Sequence, residues 1–147
     1  MKKFNYLLTG GAGYIGSHVA NLLIDHGHKV TILDNLITGH IQLVPKKAKL
    51  EKVDIADHQK VKNILSKNKF DIVLHFAGLI RVDESVLFPD KYFDYNFHKA
   101  KIFIDTCIEN NISKIIFSST ASVYGDSNNS SFSEEDELKP LNPYAES

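Results

Sequence analysis

The stretch Thr9-Gly10-Gly11-Ala12-Gly13-Tyr14-Ile15-Gly16 contains GxGxxG as Gly11, Gly13 and Gly16. It also reads as GxxGxxG through Gly10, Gly13 and Gly16. An apolar run precedes it, a helical pattern follows it, and an acid, Asp34, ends the next apolar run 18 positions after Gly16. Glycines there allow a tight strand-to-helix turn and let a pyrophosphate approach a helix N-terminus. Unpaired N–H groups and the helix dipole favour negative charge at that point. A carboxylate at Asp34 can accept hydrogen bonds from the adenosine ribose and repels a 2′-phosphate. Asn35 and Leu36 follow, so no arginine stands beside Asp34 to hold that phosphate. The pattern predicts binding of NAD in preference to NADP.

Other reactive side chains point to less. The seven histidines are His18, His26, His28, His40, His58, His75 and His98. His26 and His28 flank a turn glycine, and no third ligand has matching spacing, so no metal site is expected. His75 ends an apolar run and reads as a satisfied core or cofactor-edge histidine. Cys107 lies on an apolar helical face and reads as packing.

Short apolar runs alternate with helical patterns. Strands are predicted at 4–9, 29–34, 50–53, 70–76 and 114–119. Helices are predicted at 14–26, with Ile15, Val19, Leu22 and Leu23 on one face, at 57–67 with Asp57 as cap, and at 89–110. Such alternation means βαβ units, a parallel sheet and right-handed crossovers. Residues 125–141 are polar and acidic and read as a loop. Asn142 to Ser147 reads as the start of a helix, with Pro143 in its first turn.

The sequence of 147 residues fits one domain. Its apolar and charged fractions, 43% and 24%, are those of a globular protein. Net charge is −1, which leaves no basic excess for nucleic acid or an anionic membrane. No apolar run approaches the roughly 18 residues of a membrane span. A single cysteine suggests a reducing, cytoplasmic setting.

TGGAGYIGSH at 9–18, LDNL at 33–36, HFAG at 75–78, ES at 84–85, FSSTASVYG at 117–125 and PYAES at 143–147 together resemble the extended short-chain dehydrogenase/reductases. Within them they are most similar to the nucleotide-sugar 4-epimerases. The resemblance runs the length of the chain. It implies an α/β fold, a Rossmann-type doubly wound parallel sheet binding NAD over residues 1–147, cut before a C-terminal substrate domain. It assigns Gly10, Gly13, Tyr14, Ile15 and Gly16 to the dinucleotide loop. Asp34 and Asn35 would hold the ribose, and Asp54 and Ile55 would meet the adenine. Phe76, Ala77 and Gly78 would line the middle of the cofactor, with Asn96 beneath and Ser118 and Tyr144 also in contact. Two positions depart from the family pattern. Leu79-Ile80-Arg81 stands where a lysine often follows the Ala-Gly pair, so Arg81 is a candidate charge near the pyrophosphate. Lys99 stands where a small glycine is common.

The resemblance further implies a Tyr-x-x-x-Lys pair with a hydroxyl residue. Tyr144 fits the tyrosine and Thr120 the hydroxyl; the lysine falls at position 148, one beyond Ser147. A tyrosine ionises near pH 10 in isolation, so proton abstraction near neutrality needs positive charge beside it. The implied reaction is epimerisation at C4 of a UDP-sugar of the UDP-glucose/UDP-galactose type, through a transient 4-keto sugar. A homodimer is implied for the full-length protein, and residues 1–147 alone are expected to be inactive. A dehydratase of the same family would carry Asp-Glu after its threonine, where this chain has Ala121-Ser122. A non-catalytic NAD-binding module or redox sensor, a reductase, and a truncated product without activity are the remaining readings. A sensor needs neither Thr120 nor Tyr144.

Titration calorimetry should therefore find tighter binding of NAD than of NADP. Asp34→Ala should weaken NAD more than NADP, because for NADP a lost repulsion offsets the lost hydrogen bonds. Equal or tighter binding of NADP by the unmodified protein would contradict the ribose assignment.

Overall fold

The computed structural model describes residues 2–126 and 131–147. Residues 127–130, inside the predicted loop, lie outside them. The chain divides into two compact units: residues up to Gly78 with Lys99–Ser118, and Leu79–His98 with Ser119–Ser147.

The first unit is built on five strands: β1 (Asn5–Thr9), β2 (Lys29–Asp34), β3 (Lys49–Lys52), β4 (Ile72–His75) and β5 (Ile115–Phe117). They pair in parallel in the order β3-β2-β1-β4-β5. From β1 the chain winds outward through β2 and β3, then returns to the other side of β1 as β4. The reversal opens a crevice beyond the C-terminal ends of β1 and β4, the usual ligand position in such sheets. There Thr9 stands level with Leu33 on one side and His75 on the other.

Alternate residues of the central strands feed opposite faces. Leu7, Leu33 and Val73 pack with Val61 and Leu65 of α2 (His58–Lys67) and with Phe103 and Cys107 of α5 (Lys99–Glu109). Leu8, Ile32 and Leu74 pack with Ala20 of α1 (Tyr14–Asp25). Helices on both faces make the sheet doubly wound, as the sequence pattern predicts. Asp57 caps α2 by accepting a hydrogen bond from the Lys60 N–H at 3.1 Å.

The helical face predicted for α1 is partly wrong. Ile15 and Leu22 are more than half exposed. The inward face is Gly16, Ser17 and Ala20, with Val19, Leu23 and Ile24 partly buried. Small residues face the sheet there because the helix starts directly off the glycine turn and approaches closely.

The second unit is short helical pieces: α3 (Val82–Leu87), α4 (Pro89–Tyr92), six residues of π-helix (Phe93–His98), a 3-10 turn (Ala121–Tyr124) and α6 (Pro143–Glu146). The single helix predicted over 89–110 is thus interrupted by a π segment, and α3 was not predicted. Asn142 caps α6 through its side chain, accepting from the Ala145 N–H at 2.9 Å.

Phe103 is fully buried at the centre of one face. Phe103→Ala should cost about 3–5 kcal/mol in urea unfolding, whereas Ile116→Ala, at a 60% exposed position, should stay within about 0.5 kcal/mol.

Candidate functional site

The glycine turn leads from β1 into α1 under tight steric limits. Gly10 has φ +68°, and a β-carbon on it would lie 2.6 Å from the Ala77 backbone nitrogen. A β-carbon on Gly16 would collide with the Gly10 carbonyl oxygen. These two glycines are demanded by the fold itself. Gly13 is different. Its φ of −85° and ψ of 176° suit any residue, and its β-carbon would meet only the Gly10 carbonyl, at 3.3 Å. A β-carbon there would be tight, without the outright overlap met at Gly10 and Gly16, and a glycine also leaves room for a ligand to approach. Gly13 also gives α1 no side-chain cap, and the first turn holds no acidic residue. The start of α1 therefore keeps the unpaired donors that favour an anion. Tyr14 and Ile15 flank this point and are largely exposed. The residues present thus fit a dinucleotide pyrophosphate.

Asp34 ends β2 and is buried, not solvated. Its Oδ2 accepts from the Ala12 N–H and its Oδ1 from the Leu36 N–H, each at 2.9 Å. The carboxylate therefore ties down the glycine turn and holds Leu36 at φ 60°, a left-handed conformation costly for a branched side chain. Each carboxylate oxygen keeps a second lone pair, so ribose recognition is compatible with this structural duty.

Asn35 donates from Nδ2 to Asp54 Oδ2 at 3.1 Å and accepts from the Ile37 N–H at Oδ1. Asp54 Oδ1 accepts from the Ala56 N–H at 2.9 Å, and Lys99 Nζ lies 3.4 Å from Oδ2. Burial pushes this carboxyl up, but the Ala56 N–H, the Asn35 amide and the Lys99 ammonium outweigh it and hold its pKa below the ordinary value. The Ile55 side chain belongs to the core, so only its backbone is available for the adenine contact that the resemblance implies.

At the crevice, Thr9 Oγ1 lies 2.8 Å from His75 Nδ1 and accepts from the Ala77 N–H at 3.2 Å. The Thr9 carbonyl accepts from the Phe76 N–H at 3.1 Å. Phe76 and Ala77 are half-buried and Gly78 is exposed. The His75 ring stacks on Phe103 and Phe117. Its Nε2 is buried without a partner, so the histidine expected to be a satisfied core or cofactor-edge residue is satisfied on one nitrogen only. Burial pushes its pKa down to about 4. Ser118 is exposed and donates its N–H to the His75 carbonyl. Cys107 is buried, its thiol pushed up to about 12 by burial, and it packs as expected.

In the second unit, the Thr120 hydroxyl oxygen caps the 121–124 turn, accepting from the Ser122 N–H at 3.2 Å. Its proton remains available for donation. That turn packs against α6, which carries Tyr144. The Tyr144 ring meets the buried Tyr92 edge to face, with centroids 6.4 Å apart. Tyr92 in turn donates its hydroxyl to Glu84 Oε2 at 2.9 Å and accepts from the Arg81 N–H. Asn96 accepts from the Leu79 N–H and donates to the Leu79 carbonyl and to Ser147 Oγ. Ser147 Oγ donates to the Tyr144 carbonyl at 2.9 Å. Asn96 is therefore a clamp on the 79 loop and α6. The Arg81 guanidinium pairs with Asp83 at 2.7 Å on the surface.

The structure thus groups Gly10 to Gly16 with Asp34, Asn35 with Asp54, and Thr120's turn with Tyr144. Sequence reasoning missed Thr9 as the link between turn and strand, and Tyr92 with Glu84 as the support of Tyr144. The only sequence signal for the second pair was the ES motif. The net charge of −1 also conceals an asymmetry: the first unit holds fourteen Lys and Arg against eight Asp and Glu, the second three against ten. The field of the first unit favours an anionic ligand.

Comparison with known proteins agrees with this fold. The model of the NAD dependent epimerase/dehydratase family matches residues 6–147. UDP-glucose 4-epimerase of Lacticaseibacillus casei is 42% identical over 140 residues, which cover 95% of this chain and 42% of that protein. UDP-arabinose 4-epimerase 1 of Arabidopsis thaliana is 37% identical, over 94% of this chain and 35% of its own length. The crystal structure of UDP-glucose 4-epimerase from Brucella ovis in complex with NAD superposes with a TM-score of 0.94 at 35% identity, over 97% of this chain and 44% of that one. The chain spans less than half the length of these relatives. Among the described residues no helix is long and apolar enough to cross a membrane, and no three His, Cys, Asp or Glu side chains cluster as a metal site.

The buried His75 gives stability a pH signature. Its folded pKa, about 4, lies below the ordinary 6.5, so the unfolded chain binds the extra proton first. Stability from this residue is full above pH 6.5 and is lost as pH falls toward 4. Urea unfolding should show a drop of about 3 kcal/mol over that window that His75→Leu abolishes.

Proposed function

The chain belongs to the NAD dependent epimerase/dehydratase family, and on that premise we propose that it supplies the cofactor-binding half and the catalytic hydroxyls of a UDP-sugar 4-epimerase. The start of α1 at Gly13 is the observation that carries the reading: a helix start with no side-chain cap and no acidic residue in its first turn. Residues 1–147 are read as a Rossmann-type NAD-binding domain. Gly10, Gly13, Tyr14, Ile15 and Gly16 surround the pyrophosphate, and Asp34 and Asn35 take the ribose hydroxyls. Asp54 and the Ile55 backbone meet the adenine. Phe76, Ala77, Gly78 and Ser118 line the middle of the groove. Asn96 acts through the loop and helix that it clamps.

When bound, NAD would supply reversible hydride transfer at the sugar C4. The residues of the chain do the rest. Tyr144 takes the proton of the 4-hydroxyl and returns it to the oxygen after the sugar has turned. Thr120, its oxygen fixed by the Ser122 N–H, donates its proton toward the sugar oxygen. Tyr92 holds the Tyr144 ring from below. The absence of an Asp-Glu pair after Thr120 supports epimerisation over dehydration, since Ala121 and Ser122 supply neither acid nor base. UDP-glucose and UDP-galactose are the proposed pair, and a homodimer is the proposed assembly of the full-length protein.

Nuclear magnetic resonance of UDP-glucose incubated with the full-length protein should show UDP-galactose at equilibrium. Tyr144→Phe should lower kcat by about 10²–10⁴-fold. A 4-keto-6-deoxy product would show a dehydratase and overturn the reading.

A further inference from the structure

Three separate elements converge on one carboxylate in the first unit. Asp54 follows β3, Asn35 follows β2, and Lys99 is the first residue of α5. Asp54 Oδ2 receives the Asn35 amide at 3.1 Å and faces the Lys99 ammonium at 3.4 Å, while Oδ1 receives the Ala56 N–H at 2.9 Å. The Asp54 carbonyl also accepts from the Asp57 N–H that opens α2. An ionised carboxylate offers about four acceptor positions. Three are committed, two of them on Oδ2, and the remaining one lies on Oδ1.

The Lys99 side chain is only 20% exposed and that of Asp54 32%, so the pair is shielded and its attraction exceeds that of a surface ion pair. Lys99 lies inside the helical stretch that runs without a break from α4 through the π segment into α5, so its backbone is held by the helix while its ammonium reaches Asp54.

We propose that Lys99 is a positioning residue for adenine recognition, holding Oδ2 of Asp54 so that Oδ1 stays turned to accept the 6-amino group of the base. The inference rests on the reading that Asp54 meets the adenine. Asn35, anchored at its own Oδ1 by the Ile37 N–H, gives the same oxygen a neutral hydrogen bond, and the Lys99 ammonium adds a charged one. The lysine thus turns a strand-end carboxylate into a fixed acceptor at the adenosine end of the site.

The test compares NAD with nicotinamide hypoxanthine dinucleotide, which carries a 6-oxo acceptor in place of the 6-amino donor. Dissociation constants are measured by calorimetry on the purified protein. The unmodified protein should prefer NAD. Lys99→Met should cut NAD affinity about tenfold and leave the hypoxanthine analogue within about twofold, so the preference collapses. Lys99→Arg should retain it. A merely structural lysine would lower both affinities together, and that result overturns the proposal. If Lys99→Met does not fold, Lys99→Gln reads the same ratio. Asp54→Ala separates the two levels of the claim. Loss of preference in Asp54→Ala with preference kept in Lys99→Met refutes the role of Lys99 alone. Preference kept in Asp54→Ala refutes the adenine reading beneath it.

Discussion

The close approach of the β1–α1 turn to the end of β4 is the constraint on which the rest depends. A β-carbon on Gly10 would overlap the Phe76–Ala77 backbone, and one on Gly16 would overlap Gly10 itself. With both absent, the turn lies flat against its neighbours and α1 starts directly above the crevice. The contact is fastened by polar bonds: Thr9 takes the Phe76 and Ala77 N–H groups, and Asp34 takes that of Ala12. Residues expected to bind a cofactor are therefore also the ones that hold the turn closed. Loss of any of them disturbs the shape of the site as well as its contacts.

That double duty explains why the acids and amide at the strand ends are buried or half-buried and already hydrogen-bonded. Asp34, Asn35 and Asp54 carry backbone or side-chain partners already. A ligand adds to their hydrogen bonds by using remaining lone pairs, with no rearrangement of the protein. Preorganisation of this kind lowers the ordering cost of binding. Tyr144 rests on Tyr92, and Tyr92 on Glu84, in the same manner.

Much of this was legible in the sequence, for physical reasons. Short apolar runs and the glycine motif fix the strand, turn and helix locally, so all five strands and the glycine turn into α1 were found. The face of α1 was misread because Ile15 and Leu22 look like core residues, yet close packing on the glycine turn admits only Gly16, Ser17 and Ala20 inward. The interruption of the 89–110 helix was invisible because the apolar spacing there runs on through the π segment; Tyr92, Ala100 and Phe103 are all buried. The clamp of Asn35, Asp54 and Lys99 joins residues 19 and 45 positions apart, and no local pattern records it.

The central claim is that NAD lies along the C-terminal edge of the sheet with its pyrophosphate at Gly13. Amide chemical shifts followed during an NAD titration test it most directly. The account predicts the largest changes at Gly13 to Ser17, with a second group at Asp54 to Ala56. Saturable binding that leaves the Gly13 to Ser17 amides unmoved would contradict it.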